Sequence, residues 1–425
     1  MATVATSHID AASNGKIWHA QYPELGTGPV PIEPYISQEY FALERERIFR
    51  KVWLNVGREE EIPKPGDYLV KDLPACGTSI LIVRGKDGRL RAFHNVCSHR
   101  SNKLVWNRGG SCQMFACKFH GWTYGLDGQL TFVPDEESFF DLKKGELGLT
   151  PVAADVWEGF IFVNLDPQPR ESLREYLGEM GETLQGYPFA EYSATCYAWT
   201  TELRANWKIL KDAFQEAYHV AFLHKRSVPD SFTSKSNPFC HGLDYRLYPR
   251  YRKMAIYGNM EHRPTPVEGM AFQFGSLIIR NDFSLSNLPP GVNPTRDPSW
   301  ALDLNVVFPN FFVDVSEGTY FTYNMWPLAV DRTLWEVRTY YPKAKTAGQR
   351  FSQEYSKVIF RDVIMEDCST LEMTQSVLAS GAKTHFVLQD QELLIRHDHK
   401  VHEEFVGFYK GKKGAKGRKG VTANV

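Results

Sequence analysis

A chain of 425 residues exceeds one ordinary domain, and its 43% hydrophobic and 23% charged residues are the composition of a folded globular protein. Its 49 basic residues nearly balance its 50 acidic ones, so nothing in the charge calls for nucleic acid or a membrane surface as partner. Seven cysteines are too few for a disulfide framework, and there is neither an N-terminal apolar leader nor a membrane-length apolar run, so a soluble, reduced, cytoplasmic protein is expected.

Residues 1–40 are polar and punctuated by Pro23, Pro29, Pro31 and Pro34, which reads as an extended arm. Tyr40, Phe41, Leu43, Ile48 and Phe49 then recur at helical spacing and predict a helix over 38–52. From 66 to 165 the pattern changes to short apolar runs broken by turn signals. Strands are expected at 68–70, 78–83, 90–96 and 159–165, with Asp87-Gly88 turning the chain between the second and third. This predicts a small antiparallel β domain over 45–166 that carries two ligand loops at its tips.

Those loops hold Cys97-Ser98-His99 and Cys117-Lys118-Phe119-His120, with seventeen residues between them. Two thiolates and two imidazoles suit either a tetrahedral zinc or a [2Fe–2S] cluster in which histidines replace two cysteines on one iron. Structural zinc sites usually pair Cys with Cys and His with His. Here each loop supplies one of each, as a cluster with an all-sulfur and an all-nitrogen iron requires. Arg100 follows the first histidine and Gly121-Trp122 follow the second. C-x-H-R followed by C-x-x-H-G-W resembles the Rieske motif of the aromatic-ring-hydroxylating oxygenase large subunits. The other five cysteines (Cys76, Cys112, Cys196, Cys240, Cys368) are scattered and are expected as reduced small hydrophobes.

Pro167 and Pro169 mark a boundary. A helix is expected over 171–184, strands over 195–203, 271–279, 304–313, 320–327 and 333–341, and helices over 347–379 and 389–409. Strand runs with flanking helices predict an α+β fold: the small antiparallel β domain, and a larger catalytic domain with an antiparallel sheet flanked by helices. The arm is assigned to the larger domain, which then comprises 1–44 and 167–409. Residues 410–425 form a basic, glycine-interleaved tail expected to be disordered and solvated.

The segment from Asn206 to His224, NWKILKDAFQEAYHVAFLH, favours helix and carries His219 and His224 five residues apart. A five-residue step leaves two side chains about 140° apart around a regular helix, so a break, a bulge or a position at the helix end is needed to bring them to one ion. Spacing alone is weak evidence, and a core histidine beside a surface one would be the default. Asn206-Trp207-Lys208, then Glu216 three residues before the histidine of Tyr218-His219, then His224, resembles the mononuclear-iron motif of the same oxygenase family.

That resemblance implies a second cofactor, one Fe(II) held by His219, His224 and a carboxylate in a facial triad. Asp367, Glu372 and Gln375 match the family's Asp-x4-Glu-x2-Gln segment and make Asp367 the candidate, with Glu366 and Asp362 as runners-up. Glu216 stands where relatives usually carry Asp. It is implied to link a Rieske histidine of one subunit to His219 of the next. Lys211-Asp212 stands where many relatives have Glu-Asn, and Asp212 is a second, weaker candidate for a supporting role near the iron. Glutamate occurs at this position in a branch of the family acting on quaternary ammonium compounds, which leaves the subclass open.

The function implied is the catalytic α subunit of a Rieske oxygenase. It would use O2 and electrons passed from NAD(P)H through a separate reductase, with or without a ferredoxin, to cis-dihydroxylate an aromatic or other apolar small molecule. No dinucleotide fingerprint appears, which leaves nicotinamide binding to the partners. The alternative is a monooxygenase, an O- or N-demethylase that includes quaternary ammonium substrates; a Rieske electron carrier is the rival outside catalysis. A homotrimer or an α3β3 assembly is implied.

Overall fold

The computed structural model describes residues 17–275 and 288–409. The predicted basic tail over 410–425, the first sixteen residues of the arm and the second half of the strand predicted over 271–279 lie outside them. The chain divides into two compact units, one spanning Arg45–Gly178, the other Met1–Glu44 with Glu179–Val425. Both are built on antiparallel sheets with helices, a mixed α+β architecture.

In the smaller unit seven strands lie in the order Leu54–Arg58, Phe160–Asn164, Pro151–Trp157, Leu90–His94, Thr78–Arg84, Asp67–Leu73, Gly109–Ser111. Thr78–Arg84 and Leu90–His94 pair across the expected turn, where Gly88 adopts φ +77°, a left-handed conformation that glycine takes without penalty. A second, three-stranded sheet of Phe115–Ala116, Thr123–Tyr124 and Leu130–Phe132 carries the second ligand loop.

The larger unit contains one seven-stranded antiparallel sheet. Its order is Thr195–Leu203, Arg332–Tyr341, Thr319–Ala329, Phe311–Ser316, Trp300–Val307, Tyr251–Tyr257, Asp244–Leu247. One face packs Ile256, Leu302, Leu304, Phe312, Phe321 and Tyr323 into the core with Phe360, Ile364 and Leu371 of the long helix Ala347–Leu378. Those three helix positions recur at intervals of four and seven residues, one stripe of a 3.6-residue period.

Several predicted elements are corrected. The helix expected over 38–52 stops at Glu44 and continues as a π-helical turn, Arg45–Phe49, whose wider winding re-phases the buried side chains. The helix expected over 171–184 is broken into Leu173–Leu177 and Met180–Thr183 at Gly178, which adopts φ +52°. Residues 304–313 are not one strand but parts of two, separated by a turn at Phe308-Pro309. The described part of the 271–279 strand lies at the end of a helix, Pro266–Phe272, because Thr265 and Glu268 form a capping box with Pro266 at the first helical position. The last helix begins later than expected, at Leu393. All seven cysteines are free, but Cys196 is exposed rather than buried. Among the described residues no helix is long and apolar enough to cross a membrane.

Candidate metal centres

Cys97 and Cys117 each open a loop of the same design. Each cysteine accepts a backbone bond from the residue four positions on, Ser101 and Gly121, at 3.0 and 2.9 Å. Each donates its own amide to the residue five positions on, Asn102 and Trp122. Ser101 and Gly121 both take positive φ, 58° and 72°, which curls each loop so that its histidine stands beside its cysteine.

The result segregates the donors. The two thiols lie close enough to act on one another's ionisation, and the His99 and His120 rings lie 4.5 Å apart. His99 stacks on Trp122 at 4.8 Å, and its Nδ1 is buried with no partner. The Tyr124 hydroxyl meets the Cys97 sulfur at 3.3 Å and accepts the Ser98 amide at 2.9 Å. Burial pushes the Cys97 thiol up; it also opposes ionisation of Cys117, but the Phe119 and His120 amides and Asn102 outweigh it and pull that thiol down. Sulfur paired with sulfur and imidazole with imidazole fits a two-iron cluster with unlike ends.

In the larger unit the helix begun by Asn206 ends at Ala213. Asn206 caps it through its side-chain oxygen on the Lys208 amide at 3.0 Å. A non-helical stretch follows, and a single helical turn, Val220–Leu223, has His219 immediately before it and His224 immediately after it. The two histidines sit at the two ends of the turn rather than on one helix face, which is how a five-residue spacing converges.

The long helix completes the set. Nε2 of His219 and of His224 lie 3.6 and 3.4 Å from Oδ1 of Asp367, and one donor atom from each of the three falls within 4.8 Å of the others. Both imidazoles are held from behind by carboxylates: Glu216 on Nδ1 of His219, and Glu366 on Nδ1 of His224 at 2.9 Å. With Nδ1 donating, each Nε2 lone pair faces the common point, the arrangement that orients metal-binding histidines. Burial acts to lower the His219 pKa, but the Glu216 carboxylate outweighs it and the net shift is upward. Asp367 is 1% exposed and its Oδ2 is buried with no partner, a charge that a cation at this point would neutralise.

Of the runners-up, Glu366 holds a histidine, with Ser227 on its other oxygen at 2.9 Å, and Asp362 pairs with Arg361 at 2.8 Å. Glu372 and Gln375 accept the backbone amides of Arg204 and Asn206 at 3.0 and 2.7 Å. The segment Asp-x4-Glu-x2-Gln therefore presents one carboxylate to the histidines and pins the chain that leads to them.

Asp212 lies elsewhere, correcting the expectation of a role near the iron. It is half-buried, accepts hydrogen bonds from the Tyr35 hydroxyl and from Gln215 Nε2, and desolvation pushes its carboxyl up to about 8. Lys211 beside it pairs with Asp398 at 2.6 Å. Neither residue lines the cavity that opens onto His219, His224 and Asp367. Phe214, Phe232, Phe272, Phe321, Tyr323 and Phe360 supply much of that cavity's wall, and Glu216, Glu268 and Asp314 also face it. Glu268 and Asp314 carry no motif, and nothing in the sequence distinguishes them from other acids.

The family described as "Ring hydroxylating alpha subunit (catalytic domain)" matches residues 189–407, and "Rieske [2Fe-2S] domain" matches residues 52–150. The carnitine monooxygenase oxygenase subunit of Escherichia coli (strain K12) is 32% identical over 195 residues, 46% of this chain and 52% of that one. The glycine betaine monooxygenase oxygenase subunit of Chromohalobacter salexigens is 35% identical over 228 residues, covering 53% and 50%. The chain thus spans about half the length of the curated relatives it matches. A solved quaternary ammonium Rieske monooxygenase superposes with a TM-score of 0.69 at 22% identity over 89% of this chain and 95% of that one. Naphthalene 1,2-dioxygenase from Rhodococcus sp. superposes at 0.67 with 21% identity over 93% and 97%. Both superpositions establish the shared fold.

Proposed function

Because the chain belongs to the ring-hydroxylating α-subunit family of Rieske oxygenases, we propose that it is the oxygenase component of a monooxygenase acting on a quaternary ammonium compound. The observation that carries this reading is the cavity over His219, His224 and Asp367, whose walls combine aromatic faces with carboxyls. A quaternary nitrogen has no N–H to donate. It is held by ring faces and negative charge, the two features this wall offers. The matching relatives whose names include carnitine, glycine betaine and choline monooxygenases support the same choice.

This replaces cis-dihydroxylation of an aromatic substrate as the leading reading, and with it a place in aromatic hydrocarbon catabolism. An abundance of Phe and Tyr suits an aromatic ligand and a cation equally, so composition could not choose between them.

Cys97 and Cys117 would hold one iron of the cluster, His99 and His120 the other, and His219, His224 and Asp367 the ferrous ion. When bound, these groups supply electron storage and O2 activation. The chain's own residues do the rest. Glu216 and Glu366 keep protons on Nδ1 of the two histidines, so that Nε2 stays available. The apolar wall keeps bulk water from the reacting carbon. Two electrons from a reductase and two protons balance the reaction, in which one oxygen enters the substrate and the other leaves as water. Glu216 is the group proposed to reach a Rieske histidine of a neighbouring subunit in a trimeric assembly, with one more methylene than aspartate.

The test is a single turnover of chemically reduced protein under 18O2 with choline, glycine betaine, carnitine and naphthalene. One labelled oxygen in an ammonium product, or formaldehyde release, is expected; a doubly labelled diol from naphthalene would overturn the reading. An electron carrier would bind only the two irons of its cluster, whereas the oxygenase binds a third.

A further inference from the structure

Asp314 lies on Phe311–Ser316, a strand in the middle of the catalytic sheet, and is 2% exposed. Its side chain joins Leu302, Leu304, Phe321 and Tyr323 in lining the cavity. In the strand register it stands directly opposite Phe321. Phe321 packs on Phe360 of the long helix at 4.8 Å and on Tyr323 at 5.5 Å, so three rings cluster beside one carboxyl.

The other carboxyls of the described lining are engaged. Glu216 holds His219, Asp367 faces both histidines, and Glu268 holds His262 at 3.2 Å and accepts the Thr265 amide at 3.1 Å. Asp314 accepts one backbone amide, that of Asn305 at 2.8 Å, and pairs with no cation among the described residues. The pairing of Phe311–Ser316 with Trp300–Val307 is interrupted between Asp303 and Val306 without a change of register, and this amide bond lies in that gap, a structural task that occupies Oδ1 alone.

We propose that Asp314 is the anionic anchor of the substrate site, receiving the positive nitrogen of a quaternary ammonium substrate against the wall of Phe321, Tyr323 and Phe360. This rests on the function proposed above and assigns the recognition to one residue. Burial holds the Asp314 carboxyl well above the usual carboxylate range, with Asp303 adding to it, which favours the protonated form. A bound cation favours the ionised form, so one proton passes from the carboxyl to solvent as the ammonium binds, and affinity rises with pH.

Several other groups face Asp314. Asp303, paired with Lys253, lies on the neighbouring strand and Tyr251 on the strand beyond it, while Tyr323 lies on the strand paired on the other side. Glu268, Tyr355, Glu216, Asp367 and the two histidines line the rest of the cavity. A substitution at Asp314 alone separates its titration from theirs.

The experiment is calorimetric titration of the iron-loaded protein with choline and with tetramethylammonium, in buffers of differing ionisation enthalpy across a pH series, repeated with Asp314→Asn. Asparagine retains an oxygen for the Asn305 amide, and indole binding serves as the check that the cavity persists. Wild-type protein should release close to one proton per ligand. Asp314→Asn should lose that release and bind the ammonium ions roughly thirtyfold or more weakly, the lower end of the cost of removing one member of a buried charge pair, with indole binding unchanged. Equal ammonium affinity and equal buffer dependence in the two proteins would overturn the role of Asp314 and leave the monooxygenase reading standing. Wild-type protein that neither binds nor oxidises any quaternary ammonium compound would overturn both.

Discussion

Asp367 turns its carboxylate toward Nε2 of both histidines, while Glu366, one residue earlier, reaches Nδ1 of His224 from behind. Adjacent positions on a helix point about 100° apart, which is why neighbouring acids take different tasks. Asp367→Ala should lose the mononuclear iron and keep the cluster, read as iron per chain together with the cluster's visible absorption; full iron retention would refute the ligand assignment. Glu366→Gln should keep a hydrogen-bonding group but weaken iron binding by roughly ten- to a hundredfold in a chelator competition, the range for partners that orient a ligand. Glu216→Gln should slow turnover with reductase while both metal centres stay loaded. Wild-type turnover in that variant would refute the proposed link to the neighbouring subunit.

At the scale of elements, the iron-site segment depends on contacts far away in the chain. Glu372 and Gln375 bond the backbone of Arg204 and Asn206, which fixes where the helix Trp207–Ala213 begins. Gln375→Ala leaves the Asn206 amide without its partner and should cost about 1 kcal/mol or more in denaturant unfolding. In the smaller unit, Gly128 has φ +84° and a Cβ there would lie 2.4 Å from the Phe93 ring. Gly128→Ala combines that clash with a left-handed backbone and should lower the unfolding midpoint further than Gly88→Ala, whose turn is open to solvent.

Across the whole molecule, buried ionisable groups set the pH range of stability. On the helix Leu393–Val406 His397 is buried and His399 half-buried, and desolvation lowers both to about 3. The unfolded chain protonates them near pH 6.5 and the folded chain does not, so stability is lost as pH falls from about 6.5 toward 3. Asp212 acts in the opposite sense: its carboxyl, raised to about 8, stays protonated in the fold while the unfolded chain ionises it near pH 4. Its contribution therefore erodes as pH rises from about 4 to 8. Urea unfolding across pH should show a shallower acid limb in His397→Leu and a shallower neutral limb in Asp212→Asn.

Much of the site was legible without coordinates because metal chemistry restricts residue choice. C-x-H and C-x-x-H bring their candidate donors together locally, and the fold class follows from strand periodicity and turn residues. The positions of strands Asp244–Leu247 and Tyr251–Tyr257 escaped, since their polar and buried residues do not alternate, and Tyr251–Tyr257 is buried on both faces. Distance along the chain hid the rest. His224 and Glu366 are 142 residues apart, and Asp314 and Phe360 line one cavity only because the sheet and the long helix enclose it. The sequence by itself determined which donors exist and in what order. Only the tertiary structure decided that His219 and His224 flank one helical turn, that Glu366 meets Nδ1 of His224 while Asp367 faces both Nε2 atoms, and that Asp212 bonds Tyr35 and Gln215, because each depends on which distant side chain fills the space beside it.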